Sequence, residues 1–167
     1  MAVITHNKKN TGVIIQLPLP KQVNTAYVIN SVMPEKDVDM LSVKSMGKFA
    51  SGKSPILPPV AGAVKALLEE YKIDYRKKNI VIVGAGNLVG KPLAMWFLSQ
   101  KVSFSVVEPD TTAPEKIIKE ADILITGIGR PGYIKGEWVK NGAVVIDAGT
   151  SETESKISGD VDFESVS

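Results

Sequence analysis

Residues Asn79 to Pro92 constrain this chain more than any other stretch. Ile80 to Val83 are apolar, β-branched and uncharged, the composition of a strand buried on both faces. Gly84, Gly86 and Gly90 follow at once, in a G-x-G-x-x-x-G spacing, and a helix-compatible run then extends to Gln100. Strand, glycine turn and helix form the corner at which nucleotide folds hold a pyrophosphate. In such a corner Gly84 permits the tight turn and Gly86 lets backbone approach a phosphate. Ala85 and Asn87 lie between the glycines, and the N–H groups and dipole at the helix start favour an anion. The spacing is one residue longer than the common fingerprint, and a βα turn that binds nothing has the same outline.

The segment from Asn79 onward repeats this alternation. Strands are expected at Ile80–Val83, Ser103–Val107, Asp122–Thr126 and Ala143–Asp147, and helices at Leu88–Gln100 and Pro114–Glu120. That order predicts an α/β fold, a Rossmann-like parallel sheet with helices on both faces. The strands end in small residues at Gly84, at Gly127 and Gly129, and at Asp147 and Gly149. Ligands bind outside the carboxyl ends of such strands, so these residues are the expected cofactor contacts. Each of them alone also reads as an ordinary tight turn. The second strand ends at Glu108, eighteen residues after Gly90. That is near the ~20-residue offset of the acid that bonds the ribose hydroxyls of NAD. A carboxylate there disfavours a 2′-phosphate, although Thr111 or Thr112 could soften the preference. NAD is therefore expected over NADP.

The first third of the chain reads differently. Gly12 to Gln16 is expected as a short strand ending at Pro18 and Pro20. Helices are expected at Asn24–Val32 and Ser42–Ala50, with a polar loop from Met33 to Asp39. Ser51 to Pro55 forms a turn cluster. Pro58 and Pro59 then open an amphipathic helix whose apolar face carries Val60, Val64, Leu67, Leu68 and Tyr71. Two domains are expected, 1–54 and 55–167.

Composition narrows the function classes. The 167 residues carry a net charge of +2 from scattered lysines, which gives little reason to expect nucleic acid as a partner. There is no cysteine, hence no thiolate metal site or cysteine nucleophile, and no metal is expected. The single histidine, His6, lies in a polar stretch and reads as a solvated side chain, though it could shuttle protons. No run reaches the ~18 apolar residues of a membrane span, and no secretory leader is evident, so the expected location is the cytoplasm.

Several ordered motifs carry a family resemblance. Gly12 to Pro20 resembles the G-[IV]-x-[VI]-Q-L-P-L-P motif of the methylenetetrahydrofolate dehydrogenase/cyclohydrolases. Pro34 to Asp39 resembles their P-x-K-D-V-D-G, and Gly84 to Pro92 their G-x-S-x-x-V-G-x-P. Ala121 to Ile125, Gly129 to Gly132, Gly142 to Gly149 and Gly159 to Phe163 follow in the family's order. The resemblance implies a bifunctional enzyme of one-carbon metabolism. A hydride passes from methylenetetrahydrofolate to NAD or NADP, and water then opens the methenyl product to formyltetrahydrofolate. It implies a folate substrate, bound between a substrate domain and the dinucleotide domain, and a homodimer formed through the cofactor domain. Gln16 matches the glutamine that positions the family's catalytic lysine, and Asp39 the aspartate that binds the pterin. A carboxylate can accept two hydrogen bonds from an aminopyrimidine edge, as that role requires. Read without the family, Gln16 ends a strand and Asp39 forms a turn.

The departures are equally specific. Only fifteen residues precede Gln16, and they contain no Y-x-x-x-K lysine pattern. The family's P-V-P-G-G-V-G-P-M-T segment does not follow Phe163. Met40 stands where the family has glycine after the pterin aspartate, Gly86 replaces the serine of G-x-S, and Pro55 to Pro58 replaces P-C-T-P. The chain is thus expected to hold an intact cofactor domain beside a remnant of a second α/β substrate domain. That remnant is too small to offset its own ordering entropy, and is expected to be mobile or to lean on the cofactor domain or a partner. Impaired catalysis follows from the missing lysine. A non-catalytic nucleotide-binding or interaction module that partners a complete subunit is the alternative. A dehydrogenase for another small substrate is a third reading, opposed by Q-L-P-L-P.

Overall fold

In a computed structural model the described residues are 2–153 and 156–167. The chain forms two compact units, divided between Gly62 and Ala63.

The first unit contains α1 Ala2–His6, α2 Thr25–Asn30, a 3-10 turn Pro34–Lys36 and α3 Val43–Ala50, joined by turns and irregular segments. Asn24 caps α2 by accepting from the Tyr27 N–H at 3.0 Å. Ser42 caps α3 by accepting from the Ser45 N–H at 3.2 Å. Polar caps satisfy N–H groups that a helix start leaves unpaired, so both helices begin one residue later than their polar flanks suggest. The strand expected at Gly12 to Gln16 is replaced by one parallel bridge, Val13 to Asp37, with the Val13 N–H bonded to the Lys36 carbonyl at 2.8 Å. The ladder stops there because Asp37 leaves extended geometry and turns into α3. Its buried carboxylate accepts from the N–H groups of Leu41 (3.2 Å) and Ser42 (2.8 Å). The expected polar loop at 33–39 therefore contains a 3-10 turn and a buried acid. Met40, where the family carries glycine, is buried with φ +57°, a left-handed backbone that costs a residue with a Cβ about 1 kcal/mol.

The second unit is a four-stranded parallel sheet of order β2-β1-β3-β4. Its strands are β1 Ile80–Val83, β2 Phe104–Val107, β3 Ile123–Thr126 and β4 Val144–Asp147. All four residues of β1 and of β3 are buried, as central parallel strands covered on both faces must be. The period of two sends Val81, Val83, Val107 and Leu124 to one face, where they meet Ile118 of α6 (Pro114–Lys119) and Ile134. Ile80 stands in register with Phe104 on the other face. There Phe97 of α5 (Gly90–Ser99) packs on Phe104 with ring centroids 5.8 Å apart. The Rossmann-like arrangement with helices on both faces is thus present. A 3-10 turn, Gly136–Trp138, a short antiparallel hairpin of β5 (Ser151–Thr153) and β6 (Lys156–Ser158), and α7 (Phe163–Val166) complete the unit.

α4 (Pro59–Glu70) buries Ala61, Val64 and Leu68. Leu67 and Tyr71, expected on the same face, are exposed. They border an open apolar groove with Ile73 and Val144 to Asp147 of edge strand β4. No helix among the described residues is long and apolar enough to cross a membrane.

The start of the sheet is pinned electrostatically. Asp122 accepts from Lys140 Nζ through Oδ1 at 2.6 Å and from the Asn79 N–H through Oδ2 at 2.9 Å. The Lys140 hydrogen bond, aided by the Asn79 N–H, holds its carboxyl below the ordinary value near 3.8. A carboxyl depressed in the folded state stabilises above its unfolded pKa, and that contribution fades as pH falls through the folded one. Asp122→Asn should therefore lower stability at neutral pH and flatten the loss of stability below about pH 4. Urea denaturation at several pH values checks this. An unchanged acid limb would count against the pin.

Candidate cofactor site

β1 delivers the chain to Gly84 with both neighbouring strands still bonded to it. The Gly84 N–H bonds the Val107 carbonyl at 2.8 Å, and the Gly127 N–H bonds the Val83 carbonyl at 3.2 Å. Gly84 turns with φ +94°, a conformation that glycine adopts freely. Its Cα faces Ile128, so any side chain at 84 would strike that isoleucine. Gly90, the first residue of α5, lies directly against the Gly84 carbonyl, and a Cβ there would overlap it. Gly127 rests on the Val89 side chain in the same way. The glycine corner and the segment after β3 therefore interlock, the Val89 side chain seated on Gly127 and that of Ile128 on Gly84. Gly86 differs. A Cβ at 86 would meet nothing closer than the Gly127 carbonyl at 4.0 Å, so open space lies over that backbone.

The rim of the corner is polar. The Ala85 N–H donates to Glu108 Oε1 at 2.6 Å, which brings the acid at the end of β2 onto the corner itself. Lys91 Nζ donates to Asn87 Oδ1 at 2.7 Å. The Thr111 hydroxyl, a candidate phosphate contact, accepts from the Glu108 N–H at 3.2 Å.

Two aspartates organise the ends of β3 and β4. Asp147 accepts from the N–H groups of Gly149 (2.9 Å), Asp160 (3.2 Å) and Val161 (2.9 Å). Asp160, fully buried, accepts from Thr126 Oγ1 (2.9 Å), the Ile128 N–H (2.7 Å) and the Arg130 N–H (2.8 Å). Gly149 packs on the Asp160 carboxylate and Gly159 on that of Asp147, each where a Cβ could not fit. Gly129, with φ +67°, offers its carbonyl to the Ser151 hydroxyl at 2.9 Å.

The structure thus gathers all ten expected cofactor residues, Gly84, Ala85, Gly86, Asn87, Gly90, Glu108, Gly127, Gly129, Asp147 and Gly149, at the carboxyl ends of the strands of one unit. Gln16 and Asp39 belong to the other unit. They lie on the two bridged segments, both on the carboxyl side of the Val13–Asp37 bridge. Gln16 is exposed, and its amide donates to the Leu17 carbonyl at 3.1 Å. Asp39 is half-buried, and among the described residues its carboxylate accepts no hydrogen bond. Asp160 and Ser151 are the organising residues that sequence reasoning passed over. The pairing of Asp160 with Gly159, echoed by Asp147 and Gly149, was the available signal. Among the described residues no group of three or more acidic or histidine side chains could hold a metal.

Residues 58–167 match the NAD(P)-binding domain model of the tetrahydrofolate dehydrogenase/cyclohydrolases, and residues 1–39 match that family's catalytic domain model. The chain belongs to this family. It is 46% identical over 158 residues to the bifunctional protein FolD of Hydrogenobaculum sp., covering 93% of this chain and 57% of that relative. It is similar to the bifunctional FolD enzyme of Campylobacter jejuni (TM-score 0.91, 35% identity, 98% of this chain and 59% of that one). It is also similar to the Trypanosoma brucei methylenetetrahydrofolate dehydrogenase-cyclohydrolase, solved with NADP and an inhibitor (TM-score 0.89, 30% identity, 98% and 59%). The chain therefore spans somewhat more than half the length of these tetrahydrofolate dehydrogenase/cyclohydrolases.

The contrast between two glycines tests the corner. Gly90→Ala should cost about 1–3 kcal/mol, because backbone on both sides must move. Gly86→Ala should stay within about 0.5 kcal/mol. Chemical denaturation of both variants checks this, and equal stabilities would contradict the packing described.

Proposed function

We propose that this chain carries the dinucleotide half of a methylenetetrahydrofolate dehydrogenase/cyclohydrolase, with NAD or NADP across the carboxyl ends of β1, β2 and β3. The observation that carries the reading is the open backbone cradle at Gly86, walled by Gly84 and Gly90 and rimmed by Glu108. A backbone approach unobstructed by any Cβ, beside the positive end of the α5 dipole, fits a pyrophosphate. Family membership supplies the reaction class. When bound, the nicotinamide accepts a hydride from the methylene carbon of the folate.

In this reading the residues Gly84, Ala85, Gly86, Asn87 and Gly90 bind the pyrophosphate, and Glu108 turns its carboxylate to the ribose hydroxyls. Gly127, Gly129, Asp147 and Gly149 border the cleft on its other side. Asp39 binds the pterin through its carboxylate, which the described residues leave without a donor. Gln16 retains the position of the lysine-orienting amide. A second reading is a non-catalytic NAD(P)-binding module that works beside a complete subunit. Assembly as a homodimer through the cofactor unit belongs to the first reading.

Two experiments test this reading. A carboxylate about 5 Å from a 2′-phosphate opposes it by a few kcal/mol per charge pair at an effective dielectric near 20, less where water screens it. Calorimetric titration should therefore show NAD binding about tenfold or more tighter than NADP, with Glu108→Ala narrowing the gap. Tighter NADP binding by the wild type, or unchanged selectivity in the variant, would defeat the assignment of Glu108. Asp39→Ala should weaken folate binding and leave nucleotide affinity alone. Equal folate affinity in both proteins would return Asp39 to a turn-forming role.

A further inference from the structure

Asp160 is fully buried, and among the described residues no Lys or Arg side chain pairs with it. A buried carboxylate is costly unless strong hydrogen bonds replace its water. Asp160 has three, and two of them go to backbone of one short segment. Oδ2 receives the Ile128 N–H and Oδ1 the Arg130 N–H, so one side chain spans the Gly129 peptides between them. A neutral side chain of similar size would fill the space, but an amide offers one acceptor oxygen rather than two. The opposite side of the same segment forms the wall of the glycine corner, through Gly127 on Val89 and Ile128 beside Gly84. Asp160 is itself held, because Asp147 at the end of β4 accepts its N–H. A continuous set of bonds therefore runs from β4 through Asp160 to the segment that faces the cradle.

From this we infer that Asp160 is a positioning residue for the dinucleotide, setting the 127–130 segment against the half of the ligand beyond β1. The inference rests on the cofactor reading above. Its direction follows from topology. β2 and β3 flank β1 on opposite sides, so a dinucleotide crosses the crevice between them. Glu108, at the end of β2, marks the adenosine side, and β3 and β4 end on the side of the second nucleotide.

Calorimetric titration of NAD and of ADP into the wild type and Asp160→Asn tests this. ADP reports the adenosine side, and NAD reports both. In Asp160→Asn the Kd for NAD should rise about tenfold or more, the effect of one lost bond to a charged acceptor, while that for ADP stays within about twofold. Merely loosened packing would move both constants together. Thr126→Val, which removes only the hydroxyl donor, should show the same split at about threefold, and carries the test if Asp160→Asn does not fold by circular dichroism. If the wild type has no affinity for NAD or for NADP, the cofactor reading falls and this inference with it. If it binds NAD and the variants lose NAD and ADP affinity equally, or lose neither, the inference alone is overturned. If both variants unfold, the network serves stability only, which also overturns it.

Discussion

The approach of Gly90 to the Gly84 carbonyl is the contact on which the second unit depends. It brings the start of α5 directly onto the end of the central strand, with no side chain between them. The consequences follow in sequence. α5 lies down on β1 and β2, Phe97 reaches Phe104, and the helix N-terminus opens at the edge of the sheet. The same closeness leaves the backbone at Gly86 bare. In the proposed reading, packing and ligand cradle are thus one geometric solution.

Acidic side chains do the fine positioning around that cradle. Asp160 and Asp147 spend their oxygens on backbone N–H groups, and each carboxylate occupies the space that a neighbouring glycine leaves. They act as rigid connectors between β3, β4 and the 159–161 segment, which runs beside Ile134 through a bridge at Val161. Glu108 is different in kind. It is exposed and bonded to the corner at a single N–H, so a ligand hydroxyl can compete for it at small cost. The first unit uses the same device once, where buried Asp37 holds the start of α3.

The parallel sheet was legible because buried parallel strands are continuous apolar runs. The four strands begin and end within one residue of their sequence-based bounds, and the helices after β1 and β2 follow closely. The glycine corner was legible because its backbone demands glycine. Gly12 to Gln16 was not, since an apolar run becomes a strand only where a neighbour supplies a ladder, and here Asp37 turns away after one bridge. The face of α4 was half read. Period places Leu67 and Tyr71 beside Leu68, but only Ala61, Val64 and Leu68 of that helix are buried. Asp160 stayed hidden because two of its three partners are backbone N–H groups thirty or more residues away, and backbone leaves no mark in sequence.

The central claim is that the 84–90 corner, and not another surface of the chain, receives a nicotinamide dinucleotide. Backbone amide NMR during titration with NAD or NADP tests it most directly. The account predicts that the largest shifts fall on Ala85 to Lys91, with a second group at Gly127 to Arg130, and that the Ala85 amide moves as Glu108 exchanges it for a ribose hydroxyl. Shifts confined to residues outside these two segments, or no shifts at saturating dinucleotide, would contradict it.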